Sequence, residues 1–192
     1  MKTGRMEAFS DGVIAVIITI MVLEMKVPHG TDLADLAAVW PVFLSYVLSY
    51  INVGIYWSNH HHLLHAVPHV GGHMLWANLH LLFWLSLMPF ATGWMGENHF
   101  APVPTAAYGM VLLMCALAWT LLQTAIIAVH GRASTLARAV GRDFKGKLSL
   151  AAYVLAVPLA LYVNQWLAGA LYIMVALVWF IPDQRIERMI TE

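Results

Sequence analysis

The chain has 192 residues, of which 61% are hydrophobic and 10% are charged, and its formal net charge is zero. About 25% of the residues of a soluble domain are charged, so this composition predicts an integral membrane protein. The balanced charge excludes the basic footprint of a nucleic-acid-binding protein, and we expect no nucleic acid partner. Cys115, the single cysteine, lies in an apolar run and predicts packing, because one cysteine cannot form an intrachain disulfide.

The first apolar segment, Arg5 to Val27, predicts a helix with two different faces. Between Asp11 and Glu24 lie twelve uncharged residues, about 18 Å of helix, whereas the hydrocarbon core of a bilayer is about 30 Å thick. A helix that spans must therefore carry Asp11 toward the membrane, facing protein or water. At about 100° per residue, Ser10 and Asp11 point away from an apolar stripe. The stripe consists of Arg5, Phe9, Gly12, Val16, Thr19, Ile20, Leu23 and Val27.

Long uncharged runs predict a single all-α domain of six membrane-spanning helices over residues 1–192. No Asp, Glu, Lys or Arg occurs in residues 36–96, 98–131 or 148–182, and one crossing needs only about 20 residues. Pro68, Gly71 and Gly72 divide the first run, and Val163 to Gln165 divides the last. One long, oblique helix is the alternative to the final pair. The expected spans are residues 6–27, 35–59, 73–95, 105–130, 148–162 and 166–180.

The positions of the basic residues predict which side of the membrane each loop occupies. The segment Arg132 to Lys147 carries five of the ten Lys and Arg residues, which is typical of a cytoplasmic loop. Lys2 and Arg5 place the N-terminus on that side, and Arg185 with Arg188 places the C-terminus there. We therefore expect a multi-pass protein of the cell membrane (inner or plasma membrane) with both termini in the cytoplasm.

Polar residues near the cytoplasmic ends of the second and third spans are expected to hold the first helix in place. A buried Asp11 needs hydrogen-bond donors, and an indole, amide or imidazole group can supply them. Spacing alone does not select among the candidates. They are Trp57, His60, His61, Trp76, Asn78 and His80.

Six histidines lie within fourteen residues, from His60 to His73. His61 and His65 have the helical i, i+4 spacing that suits a zinc ion, and they are the candidates if a metal binds. However, Pro68 and two glycines interrupt the segment, and the expected loop contains no acid. We therefore favour a protonatable or interfacial surface over a metal site, with pH sensing as one role for it.

Catalytic motifs are missing from the sequence. It contains no G-x-S-x-G, H-E-x-x-H, Walker or G-x-G-x-x-G pattern. An intramembrane hydrolase would need paired acids or a Ser/Lys set deep in the spans, and these are absent too. We therefore expect neither an enzyme nor a cofactor.

The first helix carries a motif that resembles a known family. Arg5, Phe9, Ser10 and Asp11 read R-x-x-x-F-S-D before GVIAVIITIMVLEMKVP, and Trp57 begins a W-x-N-H-H segment. With these motifs and its six-span layout, the chain resembles the prokaryotic members of the transmembrane protein 175 family. These are bacterial relatives of the endosomal and lysosomal potassium channel. The resemblance implies a homotetramer in the lipid bilayer that passes monovalent cations through a pore lined by the first helix.

The resemblance also assigns roles to particular residues. It implies that Val16, Thr19 or Ile20, and Leu23 line the pore, and these residues lie on the stripe that helical geometry defines. Val16 stands where many relatives carry Ile or Leu, which implies a wider ring. The T-V-G-Y-G filter of ordinary potassium channels is absent from the family and from this sequence. The motif residues are implied to be structural and gating residues rather than ion ligands. They are Arg5, Phe9, Ser10 and Asp11.

The sequence is compatible with three functions. The favoured one is a passive channel for potassium, selective or weakly selective, with cations concentrated by Glu24, Asp32 and Asp35 at the extracellular side. The alternative is a proton- or metal-coupled transporter that uses the histidines from His60 to His73 with Asp11 as a relay. The third is a membrane scaffold whose apolar stripe only packs.

Overall fold

The computed structural model describes residues 3–65, 67, 69–131 and 143–180, and it is helical throughout most of these ranges. Four helical stretches are long and apolar enough to cross a membrane by length and composition: Gly4–Leu23, Gly72–Glu97, Pro102–His130 and Phe144–Tyr162. The helices of the described ranges are α1 (Gly4–Leu23), α2 (Leu33–Ala38), α3 (Trp40–His65), α4 (Gly72–Ser86), α5 (Met88–Glu97), α6 (Pro102–His130), α7 (Phe144–Tyr162) and α8 (Gln165–Phe180).

One face of α1 is packed inside the protomer, against α3, α4 and α5. The buried residues recur every three or four positions, as one side of a helix requires. They are Met6, Ser10, Ile14, Ile17 and Met21. At the far end of α1, Lys26 Nζ forms an ion pair of 2.9 Å with Glu97 Oε1, and this hydrogen-bonded partner raises the pKa of Lys26.

The histidine segment is the clearest departure from the sequence-based expectation. The second span was expected at residues 35–59 followed by a histidine-rich loop, but α3 runs from Trp40 to His65 and is preceded by the short α2. No glycine or proline stands between Trp57 and His65, so nothing in the sequence ends the helix at Asn59. His60 to His65 are therefore helical, and His60 is buried. Pro68 lies outside the described residues.

The third expected span, residues 73–95, is interrupted at Leu87, where α4 ends and α5 begins. Pro89 stands in the first turn of α5 and has no N–H to donate to the preceding turn, so the helix breaks just before it. Beyond the break, α5 approaches α3 closely at Gly96, where an added Cβ would lie 2.7 Å from the Cα of Val42. A buried hydroxyl cluster joins α3, α5 and α6: Ser49, Thr92 and Tyr108.

In the second half of the described residues, α6 is the central helix. It packs against α4, α7 and α8. The last apolar run is two helices, α7 and α8, separated at Val163 and Asn164 rather than one long helix. The indole of Trp179 donates to Ser149 Oγ at 2.8 Å and joins these two helices. Several basic residues on which the orientation depends lie outside the described ranges: Lys2, Arg132, Arg138, Arg142, Arg185 and Arg188.

Candidate functional site

The apolar stripe of α1 is left uncovered by the other residues that the structure describes. Val16 is 54% exposed and Leu23 is 80% exposed, although the opposite face of the same helix is buried. Arg5, Gly12 and Thr19 are exposed along the same side. Continuous apolar surface of this kind needs a partner, either lipid or protein, because water is a poor one.

Thr19 gives the stripe a polar point between apolar neighbours. Its hydroxyl donates to the carbonyl oxygen of Val16 at 2.9 Å, so its hydrogen is used within the helix. The lone pairs of the hydroxyl oxygen remain available as acceptors on the exposed side. A Thr19 oxygen at this position can face a cation, while Val16, Ile20 and Leu23 provide apolar surface on either side.

An apolar groove separates the stripe from α5. Val16 and Ile20 line one wall, and Phe90 and Trp94 line the other. An added Cβ at Gly12 on the first wall, or at Gly93 on the second, would meet no atom within 4 Å. Both walls therefore have room for side chains that come from outside the protomer.

The other face of α1 carries a hydrogen-bond network, the Ser10 network, formed by Ser10, Asn78 and His60. Asn78 Nδ2 donates to Ser10 Oγ at 2.9 Å, and Ser10 Oγ donates to the carbonyl oxygen of Met6 at 2.8 Å. Asn78 Oδ1 lies 2.7 Å from His60 Nε2, and since this amide oxygen can only accept, His60 Nε2 carries the hydrogen. All three members are buried.

Asp11 stands next to this network and is partly exposed rather than buried as expected. The indole Nε1 of Trp57 donates to Asp11 Oδ1 at 3.1 Å. The structure thus brings together Ser10, Asn78 and His60, with Asp11 and Trp57 beside them, and so ties α1 to α3 and α4.

His80, which was expected in this group, and Trp76, one of the open candidates, do not belong to it. His80 is exposed and its Nε2 lies 3.3 Å from the indole nitrogen of Trp84 on the same helix. His80 and Trp76 each lie two positions from Asn78, one on either side, which turns each of them about 200° around α4. Both side chains therefore leave the face that meets α1. Arg5 and Phe9 of the motif are likewise exposed.

Glu7 is a site residue that the sequence reasoning missed. Its Oε1 lies 3.0 Å from His61 Nδ1 and 3.8 Å from His65 Nδ1. Glu7 precedes Ser10 by three residues and Asp11 by four, so helical spacing places all three on neighbouring positions of one side. The acid missing from the histidine segment is therefore supplied by α1.

These features define a class: a multi-pass helical membrane protein in which the first helix is fixed on one face by polar contacts and left uncovered on the other. Residues 5–89 match the family model described as "Endosomal/lysosomal potassium channel TMEM175". A potassium channel of Chryseobacterium sp. (strain P1-3) is 53% identical over 192 residues, which cover 100% of both chains.

Two further proteins extend the comparison. A potassium channel of Streptomyces collinus (strain DSM 40733 / Tue 365) is 35% identical over 126 residues, covering 62% of this chain and 61% of that one. The crystal structure of a lysosomal potassium-selective channel TMEM175 homolog from Chamaesiphon minutus matches with a TM-score of 0.82 at 27% identity. That match covers 94% of this chain and 97% of the other. The chain belongs to the TMEM175 family, which confirms the resemblance seen in the sequence.

Proposed function

We propose that four copies of this chain form a passive cation channel in the cell membrane, selective or weakly selective for potassium, with the stripes of four α1 helices around a central pore. The observation that carries the proposal is the two-faced packing of α1: one face buried, the other apolar and uncovered. Relatives named potassium channels, one of them aligned over its full length, support K+ as the permeant ion. The family is one of channels rather than enzymes.

A pore explains the composition of the stripe better than lipid does. Lipid contact requires no hydroxyl, whereas rings of Thr19 oxygens on an axis offer acceptors to a partly dehydrated cation. Rings of Val16, Ile20 and Leu23 form a narrow apolar segment, which controls flow by expelling water. The groove between α1 and α5 provides a seat for the neighbouring subunit, with Gly12 and Gly93 admitting its side chains.

The charges at the far end of α1 favour cations over anions. Glu24 and Asp32 are exposed there, and Asp35 Oδ2 accepts a hydrogen bond from the backbone N–H of Asp32 at 3.1 Å. Negative charges at a pore mouth raise the local cation concentration. Lys26 offsets little of this field because it is paired with Glu97.

We further propose how the chain crosses the membrane and what positions the pore helix. Six crossings consist of α1, α3, the joined α4 and α5, α6, α7 and α8, and both termini lie in the cytoplasm. The Ser10 network and the bond between Trp57 and Asp11 hold the pore helix against α3 and α4, so they act on gating through its position. Motif residues Arg5 and Phe9 border the cytoplasmic entrance of the pore, at the end opposite to Glu24.

Potassium flux through reconstituted protein tests the proposal. Leu23→Ala and Val16→Asn are expected to raise K+ flux several-fold or lower the ratio of K+ to Na+ flux, because each makes a ring wider or more polar. Phe83→Ala is the matched control: Phe83 is exposed on α4, outside the stripe, and its replacement should leave flux unchanged.

The alternative transporter makes the opposite prediction. Joint replacement of His61, His62 and His65 by Ala would abolish flux in a histidine relay, and the stripe variants would have no effect. His60 is kept in this variant because it is buried in the Ser10 network. Flux that depends on the three histidines and not on the stripe would overturn the channel proposal.

A further inference from the structure

We propose that Glu7, His61 and His65 form a binding site for one divalent transition-metal ion of the zinc type, which joins α1 to α3. The site is distinct from the proposed pore, and its occupancy does not depend on whether α1 lines one. Among the described residues, these three side chains form a group able to hold a metal ion, with ligand atoms all within 4.8 Å of one another.

The distances between the ligand atoms suit a tetrahedral ion. Bonds of about 2.0 Å to zinc separate neighbouring tetrahedral ligands by about 3.3 Å. Glu7 Oε1 lies 3.0 Å from His61 Nδ1 and 3.8 Å from His65 Nδ1, one value on each side of that separation. The two imidazole rings lie together, with centroids 4.5 Å apart. The ligand atoms of His61 and His65 lie within 4.8 Å of each other, so side-chain rotations that shorten this separation by up to about 1.5 Å would bring all three ligands to an ion.

The ligand types select the class of metal. Two imidazoles and one carboxylate form a set used for zinc, with a fourth position left for water. Magnesium and calcium prefer oxygen ligands and would find only the carboxylate here. The i, i+4 spacing of His61 and His65 places both rings on one side of α3, and Glu7 faces them from α1.

The site is open enough for an ion to enter. The side chains of His61 and His65 are 45% and 52% exposed, while Glu7 is 23% exposed and forms the inner wall. Of the competing contacts, the hydrogen bond between His61 and Glu7 is the one that an ion replaces, since it would bind the same two atoms. The metal would thereby exchange one α1–α3 contact for a stronger one with three ligands.

The neighbouring His62, on the same helix α3, provides a control for the proposed site. His62 follows His61 directly, but its Nδ1 is 2.7 Å from the carbonyl oxygen of Ser58 and so is used within α3. A true site requires His65 and does not require His62. Surface binding to a histidine-rich segment would not distinguish them.

The test is a metal titration of the full chain, purified in detergent with a histidine-free tag and freed of metal with EDTA. Co²⁺ is added first, because tetrahedral cobalt gives visible absorption bands, and Zn²⁺ is then added to displace it. We expect one ion per protomer, with Zn²⁺ affinity at least about tenfold weaker in His65→Ala and in Glu7→Gln and unchanged in His62→Ala. Thermal unfolding gives a second readout: Zn²⁺ should raise the Tm of the wild type and of His62→Ala but not of His65→Ala.

Two results would overturn the proposal: wild-type protein that shows no saturable Co²⁺ or Zn²⁺ binding, or equal losses in His62→Ala and His65→Ala. Glu7→Gln keeps the size of the side chain and a carbonyl acceptor for His61, so its elution profile separates loss of the ligand from loss of the fold. Absence of metal binding would leave the K+ flux of the proposed channel unaffected, so the two proposals fail separately.

Discussion

At the scale of single residues, Asn78 is the centre of the contacts that fix α1. Its amide uses both ends: the nitrogen donates to Ser10 and the oxygen accepts from His60. All three groups are buried, where an unpaired polar group costs about 1–3 kcal/mol. Asn78 therefore satisfies one group on α1 and one on α3 from its place on α4.

Replacing Asn78 by leucine should expose this dependence. Asn78→Leu keeps the number and branching of the side-chain heavy atoms but leaves the buried N–H of His60 without an acceptor, so the free energy of unfolding should fall by about 2 kcal/mol. The measurement is unfolding by sodium dodecyl sulfate in mixed micelles. Asn98→Leu is the control, since the Asn98 side chain is exposed and donates to the carbonyl oxygen of Trp94 in the adjoining turn of α5. Equal effects of the two substitutions would contradict the role of Asn78.

The sequence indicated the kinds of group near Asp11 but not which of them would meet it. Trp57, Asn78 and His80 were equal candidates, and rotation about the helix axes decided between them. Trp57 donates to Asp11, and Asn78 faces α1 at the neighbouring Ser10. His80 points to the outside. Glu7 was overlooked because its partners lie on another helix, and spacing within one helix does not report such contacts.

At the scale of helices, the two faces of α1 followed from periodicity alone, because buried and exposed residues both recur at helical spacing. Other boundaries depended on features that the charge pattern does not contain. The helix α3 continues through His65 because histidine, unlike proline or glycine, does not end a helix. The break at Leu87 follows from Pro89, whose missing N–H matters more than the uninterrupted apolar run around it.

The close approach of α5 to α3 gives a prediction for two glycines, Gly96 on α5 and Gly54 on α3. Gly96→Ala forces the backbone at Val42 to move, and such overpacking should cost about 1–3 kcal/mol of unfolding free energy. Gly54→Ala, within α3, meets nothing within 4 Å and should be neutral or stabilising by up to about 1 kcal/mol, since alanine favours helix. Unfolding in mixed micelles compares the two. A neutral Gly96→Ala would show that these helices lie further apart.

At the scale of the whole molecule, membership of the TMEM175 family was accessible from the R-x-x-x-F-S-D motif, whereas the partner of the uncovered stripe was not. Periodicity shows that Phe9, Val16 and Leu23 share a side, but it does not distinguish lipid from a second copy of the chain. The protomer does not answer that question, because the part of the chain that the structure describes leaves the stripe largely exposed.

The decisive difference between a pore and a lipid-facing surface is water. Val16 and Phe83 lie at a similar depth: Ser10 bonds to Asn78 near one end, Lys26 pairs with Glu97 near the other, and α1 therefore runs parallel to α4 and α5. Both residues are exposed in the protomer. The native thiol, Cys115, is buried and contributes little background to thiol labelling.

The most direct measurement is therefore the reaction of Val16→Cys and Phe83→Cys, reconstituted in liposomes, with a positively charged methanethiosulfonate reagent. If four α1 stripes surround a pore, Val16→Cys reacts and its K+ flux falls, while Phe83→Cys neither reacts nor changes its flux. If Val16→Cys is as unreactive as Phe83→Cys in protein that conducts K+, the stripe does not face water and the proposed pore is contradicted.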